Sequence, residues 1–401
     1  MVHEDMVLNN GRSLEYRGSI QTGIMTRKIK IIHILSNPNI GGIERMLSDL
    51  LPRVNREPFE MAIINLRSES EAYALWDRVN IKYHRIKTPC RLLLDSIPSL
   101  TILLRREMPD IVEIYGLRAN IIGRVAARLA GVPIVLTGVL STDDWRRRWH
   151  VLLDRATRWA VTAWIPNSQA CMQSIIVREG HPKNKMKVIY DGIDVEYWKK
   201  DVNTTDRSRL RSEWGCQKDD IVFATVANLR PDKGIQYLIE AIPIVLEQER
   251  RLHFIIVGRD LMRGVVQQRC KDLGIENIVT FTGFREDIRE IYQACDVTVL
   301  PSLREGLPIC LIEAMAMELP VVATSVSGIP ELVVDGETGI IVPPKDVKAL
   351  SNAMLKIVRD AKKMRNMGLA GRNRVFQMFT IERMLQELMG YYQQLFGSLN
   401  R

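Results

Sequence analysis

The chain has 401 residues, a formal net charge of +9 and the apolar and charged fractions of an ordinary globular protein, enough for two domains. No apolar run approaches the roughly 20 residues that span a bilayer, the N-terminus lacks the order of a secretory signal, and the six scattered cysteines contain no C-x-x-C pair. Those absences argue against a membrane-spanning chain, a disulfide scaffold and a zinc site, and leave a cytoplasmic protein whose positive charge favours an anionic partner without any nucleic-acid motif.

Residues 1–24 are polar with no sustained period, so they are expected to be a disordered or non-native leader, with Met25 as a candidate start. The short β-branched run Ile29 to Leu35 predicts a first strand. After it come the loop Ser36 to Gly42 and a helix with Ile43, Met46, Leu47, Leu50 and Leu51 on one face. The pair Gly41-Gly42 permits close approach of backbone to a ligand, and equally a plain turn. Further strands are predicted at Met61 to Asn65, Ile111 to Ile114, Ile134 to Thr137, Trp164 to Pro166 and Lys187 to Tyr190, with helical stretches such as Asn120 to Ala130 between them. This alternation predicts a parallel sheet covered on both faces. The stretch 143–164, DDWRRRWHVLLDRATRWAVTAW, mixes four tryptophans with five arginines. It reads either as a half-buried helix with a solvated basic face or as an interfacial helix that rests on anionic lipid headgroups.

Lys199 to Arg209 is polar and aperiodic and reads as an interdomain linker. A second strand–loop–helix series begins at Ile221 to Val226, continuing through Ala227-Asn228-Leu229-Arg230-Pro231-Asp232-Lys233-Gly234 into a helix with Ile235, Leu238, Ile239 and Ile242 on one face. Arg230 and Lys233 at that helix mouth suit a diphosphate, although such a turn is also commonly just solvated. Later runs end in Gly258 and in Gly283-Phe284-Arg285. The most informative stretch is PSLREGLPICLIEAMAMELPVVAT, Pro301 to Thr324. It follows the buried run Val297 to Leu300 and reads as loop, helix and strand. The amides of Leu307, Ile309 and Cys310 start that helix without helical partners, so together with the macrodipole they form an anion site. Pro308 lacks an N–H where none is needed. Glu305 in the loop and Glu313 inside the helix bracket the site, placed to grip hydroxyls on either side of a phosphate. A glutamate near a helix start is also favourable by ~0.3–1 kcal/mol without any ligand.

The series E-G-x-x, L-I-E-A-M-A and P-V-V-A-T resembles the signature of the group 4 retaining glycosyltransferases, which have two facing Rossmann-like domains (the GT-B fold). The resemblance runs from Lys28 to about Phe396 and implies an α/β chain with a deep interdomain cleft. It implies an N-terminal acceptor domain at 25–198, a linker at 199–209, a nucleotide-sugar domain at 210–378, and a terminal helix at 379–401 crossing back to the N-terminal domain. The implied activity is transfer of a sugar from a nucleotide-diphosphate sugar, with UDP or GDP expected, to a glycan, lipid-linked or small-molecule acceptor with retention at the anomeric carbon. A nucleotide-sugar epimerase of the same architecture and a silent nucleotide-sugar-binding subunit are the alternatives. No cofactor is implied, and the absence of a conspicuous D-x-D pair after a strand leaves the account without a metal.

By the same resemblance, Glu305 holds sugar hydroxyls and Glu313 the ribose diol. Lys233, with Arg230 in place of the family's usual arginine (Ala227-Asn228 replace Gly-Arg), neutralises the diphosphate together with Gly306, Leu307, Pro308, Ile309 and Cys310. Gly41, Gly42 and Asn228 face the sugar donor, and Phe284 and Arg285 border its base. Pro166-Asn167-Ser168 and the Asp191-Gly192-Ile193-Asp194 segment match further markers, with Asp191 where an asparagine is usual. Where the family often carries a histidine after the strand ending at Ile114, this chain has Glu113-Ile114-Tyr115-Gly116, which makes Glu113 and Tyr115 the acceptor-side candidates.

Overall fold

The computed structural model describes residues 27–86, 96–142, 146–200 and 205–399, so the expected leader, Cys90 and the first three residues of the Trp/Arg-rich stretch lie outside the described residues. Twelve strands form among the described residues. Six of them, β1 (Ile29–Leu35), β2 (Phe59–Asn65), β3 (Tyr83–Arg85), β4 (Ile111–Tyr115), β5 (Ile134–Val139) and β6 (Ala163–Pro166), build a sheet in the order β3-β2-β1-β4-β5-β6. The other six are β7 (Ile221–Val226), β8 (Leu252–Val257), β9 (Val279–Gly283), β10 (Val297–Leu300), β11 (Val321–Thr324) and β12 (Gly339–Val342). They repeat that pattern as β12-β11-β10-β7-β8-β9. Every pairing is parallel.

The strands are apolar on both faces because helices cover both, as in β4 and β5, where every residue is buried. In the first sheet, Ile29 and Ile31 pack on one side with Leu47 and Trp76, while Ile32 and Ile34 pack on the other with Leu100 and Ile122. The alternation is the period-2 geometry of a strand acting on a run of equally apolar residues. Strand order reverses between β1 and β4 in one sheet and between β7 and β10 in the other. A crevice opens beyond the carboxyl ends of the strands at such a switch point. The loops after β1, β4, β7 and β10 therefore all open on the space between the sheets.

The terminal helix Ile381–Leu399 does not pack on the sheet that precedes it. It contributes Ile381, Met384, Leu388 and Tyr392 to the core of the first sheet. The return is pinned at Ile193, whose N–H donates to the Phe379 carbonyl at 3.0 Å and whose carbonyl accepts from Ile381 N–H at 2.8 Å. Gly192 is needed there because a Cβ would collide with the Thr380 carbonyl.

Two expectations need correction. Lys187 to Tyr190 is not a strand: only the amides of Lys187 and Ile189 donate to β6, at 3.1 Å each, and the chain then turns into the cleft. The expected linker is also shorter, since helix Thr205–Glu213 begins inside it. That helix is amphipathic in tertiary context alone, with Leu210 and Trp214 covering Val222, Ile255 and Ile291 of the second domain. Local polarity hid a helix whose stability comes from docking. Among the described residues no helix is long and apolar enough to cross a membrane.

Candidate active site between the two sheets

A cleft of about 820 Å³ lies between the domains, lined from both sides. From the second domain the loop after β10 supplies Glu305, Gly306, Leu307 and Pro308, and helix Ile309–Ala316 supplies Ile309, Cys310 and Glu313. The first helical bonds run from Leu311 and Ile312 back to the Pro308 carbonyl. The amides of Leu307, Ile309 and Cys310 thus lie before the helical ladder, on the cleft wall, where an anion would complete them.

Glu305 is held from three directions. Lys233 Nζ donates to both its oxygens at 2.7 and 2.9 Å, and Ser302 Oγ donates to Oε1 at 2.6 Å. Its backbone N–H donates to Ser327 Oγ at 3.0 Å, and its carbonyl accepts from the Thr142 N–H of the first domain at 3.3 Å. Both charged groups are mostly buried, which strengthens the pair and fixes the carboxylate before any ligand arrives. An ammonium has three donors, and two are used here. Gly306 follows because a side chain there would strike the Leu140 carbonyl across the cleft.

Lys233 reaches this position because Pro231–Lys233 forms a single tight turn, ended by Gly234 at φ 67°, directly under Pro301. The same turn sends Arg230 elsewhere. It sits about half exposed, off the cleft wall, and donates to Asp232 at 3.0 Å. Of the two cations expected at the cleft, Lys233 is on its wall and Arg230 is off it. Asn228 lines the cleft and its Oδ1 accepts from the Arg259 N–H at 2.9 Å.

Glu313 is almost fully buried on the cleft wall, and burial raises its pKa to about 8 despite the opposing charge of Arg45. Phe284 forms the outer wall, with the Arg45 guanidinium 5.7 Å and the Arg259 guanidinium 4.7 Å from its ring centre. Arg259 also makes a two-pronged bond to Glu71 of the first domain at 2.7 and 2.8 Å, which ties the two rims together. Arg285 lines the cleft, but its guanidinium is committed to Asp287 at 2.7 and 2.6 Å.

On the facing side, Gly41 and Gly42 open helix Gly42–Leu50 at the cleft, and the Gly41 N–H donates to buried Glu44 at 2.8 Å. The acceptor-side candidates separate. Tyr115 is on the wall, yet its hydroxyl turns inward to His33 Nδ1 at 3.2 Å. Glu113 is off the wall, buried in the middle of β4 and bonded to Tyr392 of the returning helix. Burial lifts its pKa to about 7. The alternation of a strand explains this, since Glu113 and Tyr115 share the face that the terminal helix covers. Further residues line the same space. Asp191, also raised by burial to about 7, accepts from Asn167 Nδ2 at 2.7 Å. Asn120, Arg124, Asp154, Trp164 and Glu179 extend the wall into the first domain. Asn120 and Arg124 share helix Leu117–Ala130, while Asp154, Trp164 and Glu179 come from three other elements, so no local motif marks the set.

Two family models divide the chain at the same place as the two sheets. Residues 40–197 match "Glycosyltransferase Family 4" and residues 206–374 match "Glycosyl transferases group 1". The chain is 28% identical over 384 residues to the UDP-Gal:alpha-D-GlcNAc-diphosphoundecaprenol alpha-1,3-galactosyltransferase of Escherichia coli, covering 91% of this chain and 97% of that one. It is 31% identical over 340 residues to an uncharacterised glycosyltransferase of Methanocaldococcus jannaschii, covering 80% and 86%. Among solved structures, Anabaena HepE in complex with UDP-glucose superposes with a TM-score of 0.82 at 22% identity, over 91% of this chain and 99% of that one. Two facing Rossmann-like domains with this cleft define a GT-B glycosyltransferase. The protein belongs to the group 4 glycosyltransferases, and transfer of a glycosyl group is its activity.

Proposed function

We propose that the protein is a retaining, metal-independent transferase that takes a hexosyl group from a UDP-sugar and places it on a lipid-diphosphate-linked sugar at a membrane surface. The observation that carries the reading is the mounting of Glu305 and Lys233 beside the unladdered amides of helix Ile309–Ala316. Transfer of this kind passes through an oxocarbenium-like state with an anionic leaving group, so stabilisation belongs on the diphosphate. Lys233 and the Leu307, Ile309 and Cys310 amides are placed for that charge, while Glu305 accepts hydrogen bonds from sugar hydroxyls. The bond from C1 to the diphosphate oxygen breaks with its electrons on the leaving group. The acceptor oxygen bonds C1 from the same face, and its proton passes to the departing phosphate. Glu313 takes the ribose hydroxyls, and Phe284 the base. Two domains over the cleft exclude water from the carbocation.

UDP is favoured by the names of two similar proteins, the E. coli galactosyltransferase and Anabaena HepE bound to UDP-glucose, and the lipid diphosphate by the first of these. The membrane part of the reading rests on helix Arg148–Thr157 and the turn after it. Trp149, Leu152, Leu153 and Trp159 are exposed there together with Arg147, Arg148, Arg155 and Arg158. Trp164 is not part of this face, since it is buried in β6. An apolar ridge flanked by arginines fits anionic headgroups.

The test is transfer from a panel of UDP-sugars to a synthetic alkyl diphosphate bearing α-linked N-acetylglucosamine, with the product's anomeric configuration read by NMR and a chelator in a parallel reaction. Retained configuration and unchanged turnover with chelator are expected. An inverted product or loss of turnover with chelator contradicts the mechanism. Flotation with phosphatidylglycerol vesicles is expected and should fail in the Trp149→Ser/Leu152→Ser/Trp159→Ser variant.

A further inference from the structure

The cleft does not stop at the sugar-donor side. It continues as a recess into the first domain, walled by Asn120, Arg124, Thr137, Asp154, Trp164 and Glu179. Three buried polar atoms on the cleft wall have no hydrogen-bond partner: Asn120 Oδ1, Trp164 Nε1 and Asn167 Oδ1. Their residues are only 3, 2 and 2% exposed. Burying such an atom unsatisfied is costly, so three around one space call for a ligand that completes them.

The charges in the wall say what kind of ligand. Asp154, Glu179 and His181 bring ligand atoms within 4.8 Å of one another, which would suit a cation. Each acid already has its counterion. Arg124 Nη1 donates to Asp154 at 2.8 Å, Arg146 Nη1 donates to Glu179 at 2.8 Å, and His181 Nε2 lies 2.9 Å from Asp154 and 3.1 Å from Glu179. Burial works against these charges, yet the pairing holds Asp154 well below the usual carboxylate range and raises His181. The cluster is electrostatically closed and rigid. Beside it, on the cleft wall, two amide oxygens and one indole N–H lack partners, the complement of a neutral polyhydroxyl group, while His181 Nδ1 is unpartnered off the wall. Asn167 stands nearest the sugar donor, because a Cβ on Gly306, the residue after Glu305, would lie 3.1 Å from its Oδ1.

We infer that this recess is the selectivity pocket for the acceptor's sugar. Two hydroxyls donate to Asn120 Oδ1 and Asn167 Oδ1, and an oxygen of the same ring accepts from Trp164 Nε1. The inference rests on the transferase reading and adds to it the residues that choose the acceptor. Asp154 and Arg124 are positioning residues, since each is already engaged by its counterion and shapes the wall from there.

The experiment is indole-¹⁵N NMR of the full chain, with the Trp164 resonance assigned through Trp164→Phe. Methyl α-glycosides of glucose, galactose, N-acetylglucosamine and rhamnose are titrated with and without UDP. The expected result is a saturable shift of the Trp164 indole resonance with at least one glycoside. Asn120→Ala and Asn167→Ala should each weaken that titration tenfold or more while keeping the thermal stabilisation by UDP. The inference is overturned when no glycoside moves the resonance in a protein that UDP stabilises, or when both alanine variants titrate as the parent does. Failure of UDP to stabilise the parent would strike the sugar-donor reading instead, and the titration without UDP still decides the recess.

Discussion

The two sheets have the same strand order and nearly the same size, but their halves of the cleft are made differently. The second domain builds its half from a few contiguous residues. Glu305 to Cys310 and the turn Pro231–Lys233 supply a carboxylate, an ammonium and a row of amides within two loops. The first domain adds to the loop at Gly41-Gly42 and the segments Thr137 to Ser141 and Asp191 to Asp194 a set of single residues from β4, β6 and the helices beside them, over a buried network of paired charges. A diphosphate is a compact, strongly charged object that backbone amides can grip, so its site is local in sequence. A sugar acceptor is read by scattered hydrogen bonds, so the site proposed for it is distributed. The two halves also differ in autonomy, since the first borrows its last core helix from the end of the chain.

The contrast can be broken most sharply at Glu305. Replacing it by alanine leaves the second domain folded and lowers transfer by about 10²–10³-fold or more, because an interaction made at the reacting sugar is removed. Steady-state kinetics with matched circular dichroism check this, and near-normal activity would contradict the site.

Next in size is the borrowed helix. Leu388→Ala removes a buried side chain from the first domain's core and is expected to destabilise it by about 2–5 kcal/mol. Limited proteolysis should then release a protected fragment that begins near residue 205, because the second sheet loses nothing.

The acids give a smaller, pH-dependent effect. Burial raises Glu113 and Asp191 to about 7 and Glu313 to about 8. Each binds its proton more tightly folded than unfolded, so its stabilising share is complete below the unfolded value near 4 and is lost as pH rises through 7 to 8. These acids are therefore expected to make the unliganded protein lose stability as pH rises from about 5 to 8. Glu313→Gln should flatten the fall between pH 6 and 8 by about 1–3 kcal/mol. A melting curve as steep as the parent's would count against the buried, neutral Glu313.

The smallest effect is at the rim. Glu71→Ala breaks the exposed pair with Arg259 and is worth about 0.2–1 kcal/mol in stability. It should loosen closure more than fold, raising the KM for the UDP-sugar about two- to fivefold with kcat nearly kept. An equal change in kcat would place Glu71 in the chemistry rather than the latch.

How much of this could be read from the sequence follows from the same contrast. That Glu305, Lys233 and the helix mouth at Ile309 meet in one cleft was legible, because strand, turn chemistry and helix start sit side by side in the chain. Arg230 was not, since the tight turn Pro231–Lys233 decides which of two cations three residues apart faces the cleft. Helix Thr205–Glu213 escaped because its polar sequence is stabilised by Leu210 and Trp214 against distant strands. Glu113 was legible as a strand residue but not as a buried one, because Tyr392 reaches it from the far end of the chain. Asn120, Trp164 and Asp154 meet only through the fold, and no spacing announces them.

The most direct measurement is a thermal-shift comparison of the parent and Lys233→Ala against UDP, GDP and ADP, with and without a divalent metal. At 100 times its dissociation constant a nucleotide should stabilise the parent by about 2.7 kcal/mol. The account predicts that shift with UDP, equal with and without metal, and its loss in Lys233→Ala. A shift that needs the metal, or one that survives in Lys233→Ala, would contradict the claim that one lysine and a helix end hold the diphosphate.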